Sequence, residues 1–233
     1  MDKIQIIEKL FFYIEETVAP SYLLIPLIAL LTWKKTKGKI TTVLAIYGVL
    51  FCTLTFIYND IPKDLKKYYQ ALYTFLEYLF FVFIFWSNIE NKKAQKTIFL
   101  FSVVFFLFQC IYTLKAKLVR LDSIPIGIET ILILSYIFYF FYESAKRTTT
   151  SYIYNHYCFW LSVGILIYLG GSFFFYILIN YLNQSQINTF GNLIYLTEIF
   201  KNILFSVAIF VYARYPLEKL KKRVAAVPYL DMI

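Results

Sequence analysis

Hydrophobic residues are concentrated in long runs along this chain, and most polar residues lie between the runs. Seven runs are long enough to cross the hydrocarbon core of a bilayer, which takes about 17 to 25 apolar residues in a helix. They lie at residues 17–33, 40–58, 69–88, 97–116, 125–142, 157–180 and 190–212. The runs are continuous and do not alternate as the strands of a membrane barrel do. The pattern therefore predicts an all-α, polytopic membrane protein with a seven-transmembrane-helix bundle.

The two ends of the chain differ from these runs. Residues 1–16 mix apolar side chains with glutamates, which favours an amphipathic helix in the membrane interface over a cleavable signal peptide. Residues 17–213 then form the transmembrane domain, and residues 214–233 form a basic tail that a partner protein could bind. Pro20 and Pro26 in the first run predict a kink or a late helix start.

Composition and charge add the orientation. The chain is 60% hydrophobic and only 16% charged, with a mean hydropathy of +0.64, which excludes an ordinary soluble domain. Of its 23 Lys and Arg residues, fourteen fall on the side of the C-terminus and eight on the opposite side, while Lys201 lies inside a run. Because Lys and Arg favour the cytoplasmic side, we expect the N-terminus outside and the C-terminus in the cytoplasm. The net charge of +9 is then a topology signal that attracts anionic lipid headgroups, and it does not indicate nucleic-acid binding.

Polar side chains inside the predicted spans make up the candidate site. They are Glu77, Gln109, Glu129, Glu198, Lys201 and Asn202. The last three occupy positions i, i+3 and i+4 of one helix face. Glu198 and Lys201 could therefore neutralise each other during insertion and then meet Glu77, Glu129 or Gln109 in the bundle interior. Counted at about 1.5 Å per residue, all six lie in the outer half or the centre of the bundle. We interpret them as an outward-facing pocket for a small ligand or a proton; the alternative is an internal network that fixes helix register.

No motif in the sequence predicts an enzyme. The chain has no Gly-rich phosphate loop, no HExxH pattern and no CxxC pair, so neither a metal nor a cofactor is expected, and the three cysteines are predicted to be reduced thiols. In the sixth run, Gly164, Gly170 and Gly171 predict a close helix contact.

The sequence therefore predicts a non-enzymatic receptor-like sensor that acts through a partner. A structural or accessory subunit of a larger membrane complex is the main alternative, and a secondary transporter is another. A retinal-binding, rhodopsin-like protein is a further alternative, with Lys201 as the Schiff base and Glu77 as its counter-ion. Glu198 precedes Lys201 by three positions, where microbial rhodopsins have an Asp four before, and their Arg-Asp-Trp pattern is absent from the third run.

Two stretches carry a family resemblance. PIGIETILILSYIFYFFYE at residues 125–143 and FWLSVGILIYLGGSFFFYIL at residues 159–178 resemble the small, uncharacterised seven-helix membrane proteins of Bacteroidota. The resemblance covers most of the chain. It implies a protein of the bacterial cytoplasmic (inner) membrane that serves a signalling partner, and it supplies no activity.

Overall fold

The described part of the protein is entirely helical. The structure, a computed structural model, describes residues 3–36, 38–115, 123–146, 153–178 and 181–215. Within these ranges the α-helices are α1 (Lys3–Tyr22), α2 (Leu24–Thr32), α3 (Lys39–Ile57), α4 (Lys66–Asn88), α5 (Lys92–Lys115), α6 (Ser123–Lys146), α7 (Tyr157–Leu178) and α8 (Gln184–Arg214). Short 3-10 turns occupy Tyr58–Asp60 and Ile153–Asn155.

Seven helical segments are long and apolar enough to cross a membrane. They are Tyr13–Thr32, Lys39–Asp60, Lys66–Asn88, Lys92–Lys115, Ile124–Lys146, Tyr157–Tyr176 and Phe190–Arg214. The prediction of an all-α protein with seven helices long and apolar enough to span a membrane is confirmed for the described residues, and the orientation of the termini stays a prediction. We call the bundle surface near Tyr13 the N-side face and the surface near Arg214 the C-side face.

The ends of the spanning region differ in detail from the sequence pattern. Helix α1 begins at Lys3, so the predicted boundary between residues 16 and 17 falls inside a continuous helix. The interfacial position of residues 1–16 stays a prediction. Helix α8 begins at Gln184, before the predicted run, because Asn183 caps it by accepting a bond from the backbone N–H of Gln186. Most of the predicted basic tail, from residue 216 onward, lies outside the described residues.

The first span is broken at Leu23, between its two prolines. Pro26 has no N–H, so the carbonyl of Tyr22, four residues earlier, loses its helical donor. Gly48 of α3 packs against this break: a Cβ at that position would lie 2.7 Å from the Tyr22 carbonyl oxygen and 2.6 Å from Cδ of Pro26. The glycine thus allows α3 to approach the break closely, and the Tyr22 side chain is completely buried in the bundle.

Helices α7 and α8 approach each other at two glycines. A Cβ on Gly171 would lie 2.6 Å from Cγ2 of Thr197, and one on Gly164 would lie 3.2 Å from Cβ of Leu204. Gly170 does not share this contact, since a Cβ there would meet nothing within 4 Å. Of these two adjacent glycines, only Gly171 faces α8, because consecutive residues point about 100° apart around a helix.

The half of the bundle toward the C-side face has a largely apolar core. Aromatic and aliphatic side chains fill it: Leu44, Phe81, Phe85, Phe140, Leu161, Phe205 and Ile209. Near that face Tyr157 donates to the side chain of Asn88 at 2.7 Å. The three tryptophans, Trp33, Trp86 and Trp160, all lie at C-side ends of helices, as aromatic belt residues do. The buried charged side chains of the described residues lie instead at mid-depth and toward the N-side face.

Candidate functional site

Lys201 lies at the centre of the candidate site, near the middle of the spanning part of α8. Its side chain is 0% exposed, and Nζ donates to Oε1 of Glu77 on α4 at 2.9 Å. The other carboxylate oxygen of Glu77 accepts from the hydroxyl of Tyr168 on α7 at 3.0 Å. The Tyr168 ring centroid lies 3.8 Å from Nζ. Ion pairing and cation–π contact therefore replace the water that the ammonium group loses on burial.

Glu198, one turn before Lys201, bonds to tyrosines. Its Oε1 accepts from the hydroxyl of Tyr22 on α1 and, at 3.4 Å, from the hydroxyl of Tyr73 on α4. These two hydroxyls lie 3.0 Å from each other. Lys201 Nζ donates to the Tyr22 hydroxyl at 3.4 Å, so this tyrosine links the lysine to the second carboxylate.

In the bundle interior Lys201 thus meets Glu77, one of the partners expected for it, and forms its ion pair between helices and not within α8. Among the described residues Lys201 pairs with Glu77, and Glu198 reaches it only through Tyr22. The i, i+3 spacing places the two side chains on one face, but the lysine stem extends across to α4, where an acceptor lies closer. We refer to Tyr22, Tyr73, Glu77, Tyr168, Glu198 and Lys201 as the ion-pair cluster.

Asn202 also joins α8 to α1. Its Nδ2 donates to Oγ of Ser21 at 2.8 Å, next to Tyr22 in the chain. Its Oδ1 is buried and has no hydrogen-bond partner. The predicted face of α8 therefore contacts α1, α4 and α7 through three different polar residues.

The two remaining predicted residues do not bond to the ion-pair cluster. Gln109 on α5 donates from Nε2 to the backbone carbonyl of Ala71 at 3.5 Å, and its Oε1 is buried without a partner. Glu129 on α6 is 3% exposed and its Oε1 also has no partner. Glu129 lies within Coulombic range of Glu77 and Lys201. The predicted residues therefore do not form one bonded group, because Gln109 and Glu129 lie next to the ion-pair cluster without bonding to it.

Sequence reasoning missed the tyrosines that complete the site. Tyr22, Tyr73 and Tyr168 supply the hydroxyl donors of the two bonded carboxylates, and Ser21 supplies the acceptor for Asn202. The chain has 22 tyrosines, and nothing in their spacing separates these three from the others. The position of these tyrosines near the middle of the spans is the one feature of the sequence that could have indicated their role.

The described residues contain no group of three or more His, Cys, Asp or Glu side chains that could hold a metal ion. Glu77 accepts from Lys201 and Tyr168, whereas Glu198 accepts from Tyr22 and Tyr73, so these two carboxyl groups have different bonded partners. Protons and hydrogen-bond donors, which one carboxyl can bind alone, fit this arrangement.

Comparison with known proteins gives no assignment: no family model matches the sequence, and no curated protein or solved structure matches it either. The resemblance to Bacteroidota membrane proteins stays a prediction. Function is argued below from the geometry of the site.

Proposed function

We propose that this protein is a non-enzymatic, receptor-like membrane sensor that binds a proton or a small ligand at its buried polar site, formed by the ion-pair cluster and the adjoining Gln109, Glu129 and Asn202, and acts through a partner protein. One observation carries the proposal: three buried carboxyl groups, on Glu77, Glu129 and Glu198, share one buried ammonium group, that of Lys201. Fully ionised, the four would leave two negative charges uncompensated. An unpaired charge in hydrocarbon costs several kcal/mol, so the site favours binding a proton or a cationic group.

The cluster is placed to convert such binding into helix movement. Tyr22 belongs to α1, Glu77 to α4, Tyr168 to α7 and Lys201 to α8, so one set of bonds joins four helices. A ligand that changes the bond between Glu77 and Lys201 alters a polar contact between α4 and α8. A second packing of these helices then becomes more populated, because the ligand has different affinities for the two packings.

The proposed setting is a bacterial cytoplasmic membrane with the N-side face outside. The basic connections at the C-side face support this orientation through the positive-inside rule. The signal would pass inward, to a partner that contacts the C-side face or the tail at residues 214–233.

Hydrogen–deuterium exchange of the full chain in nanodiscs, at neutral and mildly acidic pH, tests the proposal. We expect acid to change backbone exchange in α1, α4 and α8 of the unaltered protein, and to change the set of proteins that copurify in native membranes. Glu77→Gln and Glu198→Gln should each reduce both responses. Glu16→Gln is the matched control, because Glu16 is exposed near the N-side face.

The proposal fails if the two buried substitutions leave the acid response and the copurifying proteins unchanged. A folded variant is verified by its unfolding midpoint before either response is compared.

A Schiff-base chromophore at Lys201 is the second candidate. Glu77 on the third span lies 2.9 Å from Nζ of Lys201 on the seventh, where a counter-ion would be needed. An absorption scan of protein purified from its native membrane tests this. A visible band that disappears in Lys201→Arg would favour a bound retinal, and a spectrum with only the protein's ultraviolet absorption would exclude it for that preparation.

A further inference from the structure

A second polar layer lies beside the ion-pair cluster, among α4, α5 and α6. Its position follows from a bonded contact deeper in the bundle, where the Tyr78 hydroxyl lies 3.0 Å from Oγ of Ser102 and 3.4 Å from the hydroxyl of Tyr136. These three residues belong to α4, α5 and α6, so the three helices face one another at this level.

A step of seven residues along each helix toward the N-side face returns to the same side of that helix. Seven residues make about two helical turns, or about 10 Å. On the three helices this step leads from Tyr78 to Ala71, from Ser102 to Gln109 and from Tyr136 to Glu129. The bond from Gln109 to the Ala71 carbonyl shows that α4 and α5 face each other at this level too. Glu129 therefore points toward the same interior as Gln109.

Both side chains present an oxygen that lacks a donor. Oε1 of Gln109 and Oε1 of Glu129 are buried without a hydrogen-bond partner, and the two residues are 6% and 3% exposed. Glu77 and Glu198, in contrast, accept bonds from Lys201 and from tyrosine hydroxyls. An ionised carboxylate and an amide oxygen are both acceptors, so they can bond to each other only when the carboxyl is protonated.

We propose that Glu129 is the residue that binds the sensed proton and that Gln109 accepts a hydrogen bond from the protonated carboxyl. The inference rests on the proposed function and names the proton as its ligand. The proton comes from bulk water and forms an O–H bond on the Glu129 carboxyl.

The charges around Glu129 link this event to the ion-pair cluster. The titratable or charged groups near it are Glu77 and Tyr78 on α4, Tyr168 on α7, bonded to Glu77, and Lys201 on α8. Helix α5 contributes Ser102 and Gln109 to this interior, neither of which titrates. Ionised Glu129 repels Glu77 and attracts Lys201, so it weakens the bond between them; protonated Glu129 does neither. The proton therefore strengthens the contact between α4 and α8.

Infrared difference spectroscopy of the full chain in lipid bilayers, between neutral and acidic pH, tests the assignment. We expect acid to produce a protonated-carboxyl C=O band that shifts in D2O. Glu129→Gln should abolish the band, whereas Glu77→Gln, Glu198→Gln and the exposed control Glu16→Gln should keep it. Gln109→Leu should shift it to higher frequency, because the carboxyl loses its acceptor.

The assignment is overturned if the band survives Glu129→Gln or disappears in Glu77→Gln or Glu198→Gln. Should Glu129→Gln fail to fold, Gln109→Leu decides, since an unshifted band contradicts the proposed hydrogen bond. The two proposals can fail separately. If the band is assigned elsewhere while Glu77→Gln still alters the exchange response, this inference fails and the proposed function stands.

Discussion

An isolated charge on Lys201 in hydrocarbon would cost several kcal/mol. Contacts with neighbouring residues offset this cost. Glu77 supplies the opposite charge and Tyr168 supplies a ring face. Tyr22 then connects the lysine to Glu198. At the scale of residues, the site is a charged pair stabilised by hydroxyl groups and aromatic rings.

A double-mutant cycle tests this pair. Lys201→Met leaves the buried Glu77 carboxylate without its ion-pair partner, and Glu77→Gln leaves the buried Lys201 ammonium without its ion-pair partner; each should lower the free energy of unfolding by about 3–5 kcal/mol. The double variant should lose clearly less than the sum, because it contains neither lone charge. Unfolding midpoints in mild detergent measure all three. Lys96→Met, at an exposed lysine, is the control, and additive losses would contradict a direct pair.

At the scale of elements, two glycine contacts set how helices approach the site. Gly48 allows α3 to pack on the break in the first span, beside Tyr22. Gly171 allows α7 to pack on α8 at Thr197, one residue before Glu198. Helix packing in membranes depends on such small residues, since there is little hydrophobic drive between apolar helices in lipid.

Two adjacent glycines provide a matched test of the α7–α8 contact. Gly171→Ala should lower the unfolding midpoint, because its methyl group would lie 2.6 Å from Cγ2 of Thr197. Gly170→Ala should leave the midpoint unchanged or raise it, since alanine favours a helix over glycine by about 1 kcal/mol. Adding Thr197→Ala to Gly171→Ala should restore much of the loss. Equal effects at the two glycines would show that α7 does not meet α8 on this face.

At the scale of the whole molecule, polarity is distributed unevenly across the membrane. The ion-pair cluster lies at mid-depth, and nearer the N-side face Tyr195 donates to Glu15 at 3.3 Å. Aromatic and aliphatic side chains fill the core toward the C-side face. We propose that the sensed proton enters from the N-side face.

Cysteine labelling tests the membrane orientation of the N-side and C-side faces. Tyr181→Cys and Lys93→Cys place exposed thiols at the N-side and C-side faces, in a background with the native cysteines replaced by alanine. With the N-terminus outside, a membrane-impermeant maleimide should label the cysteine at position 181 in intact cells. It should label the one at position 93 only after lysis, and the reverse pattern would place the candidate site toward the cytoplasm.

The sequence alone is enough to place the seven spans and the six polar residues of the candidate site, because run length and residue type are local properties. It could not decide the bonding partner of Lys201, which depends on how α8 is rotated toward α4. Nor could it single out three tyrosines among 22, or separate Gly171 from Gly170 as the contact with α8. The tertiary structure also shows that Glu77 and Glu198 accept hydrogen bonds, whereas Oε1 of Glu129 has no hydrogen-bond donor among the described residues. Hydrogen bonding between helices depends on distances and rotations that no local pattern records.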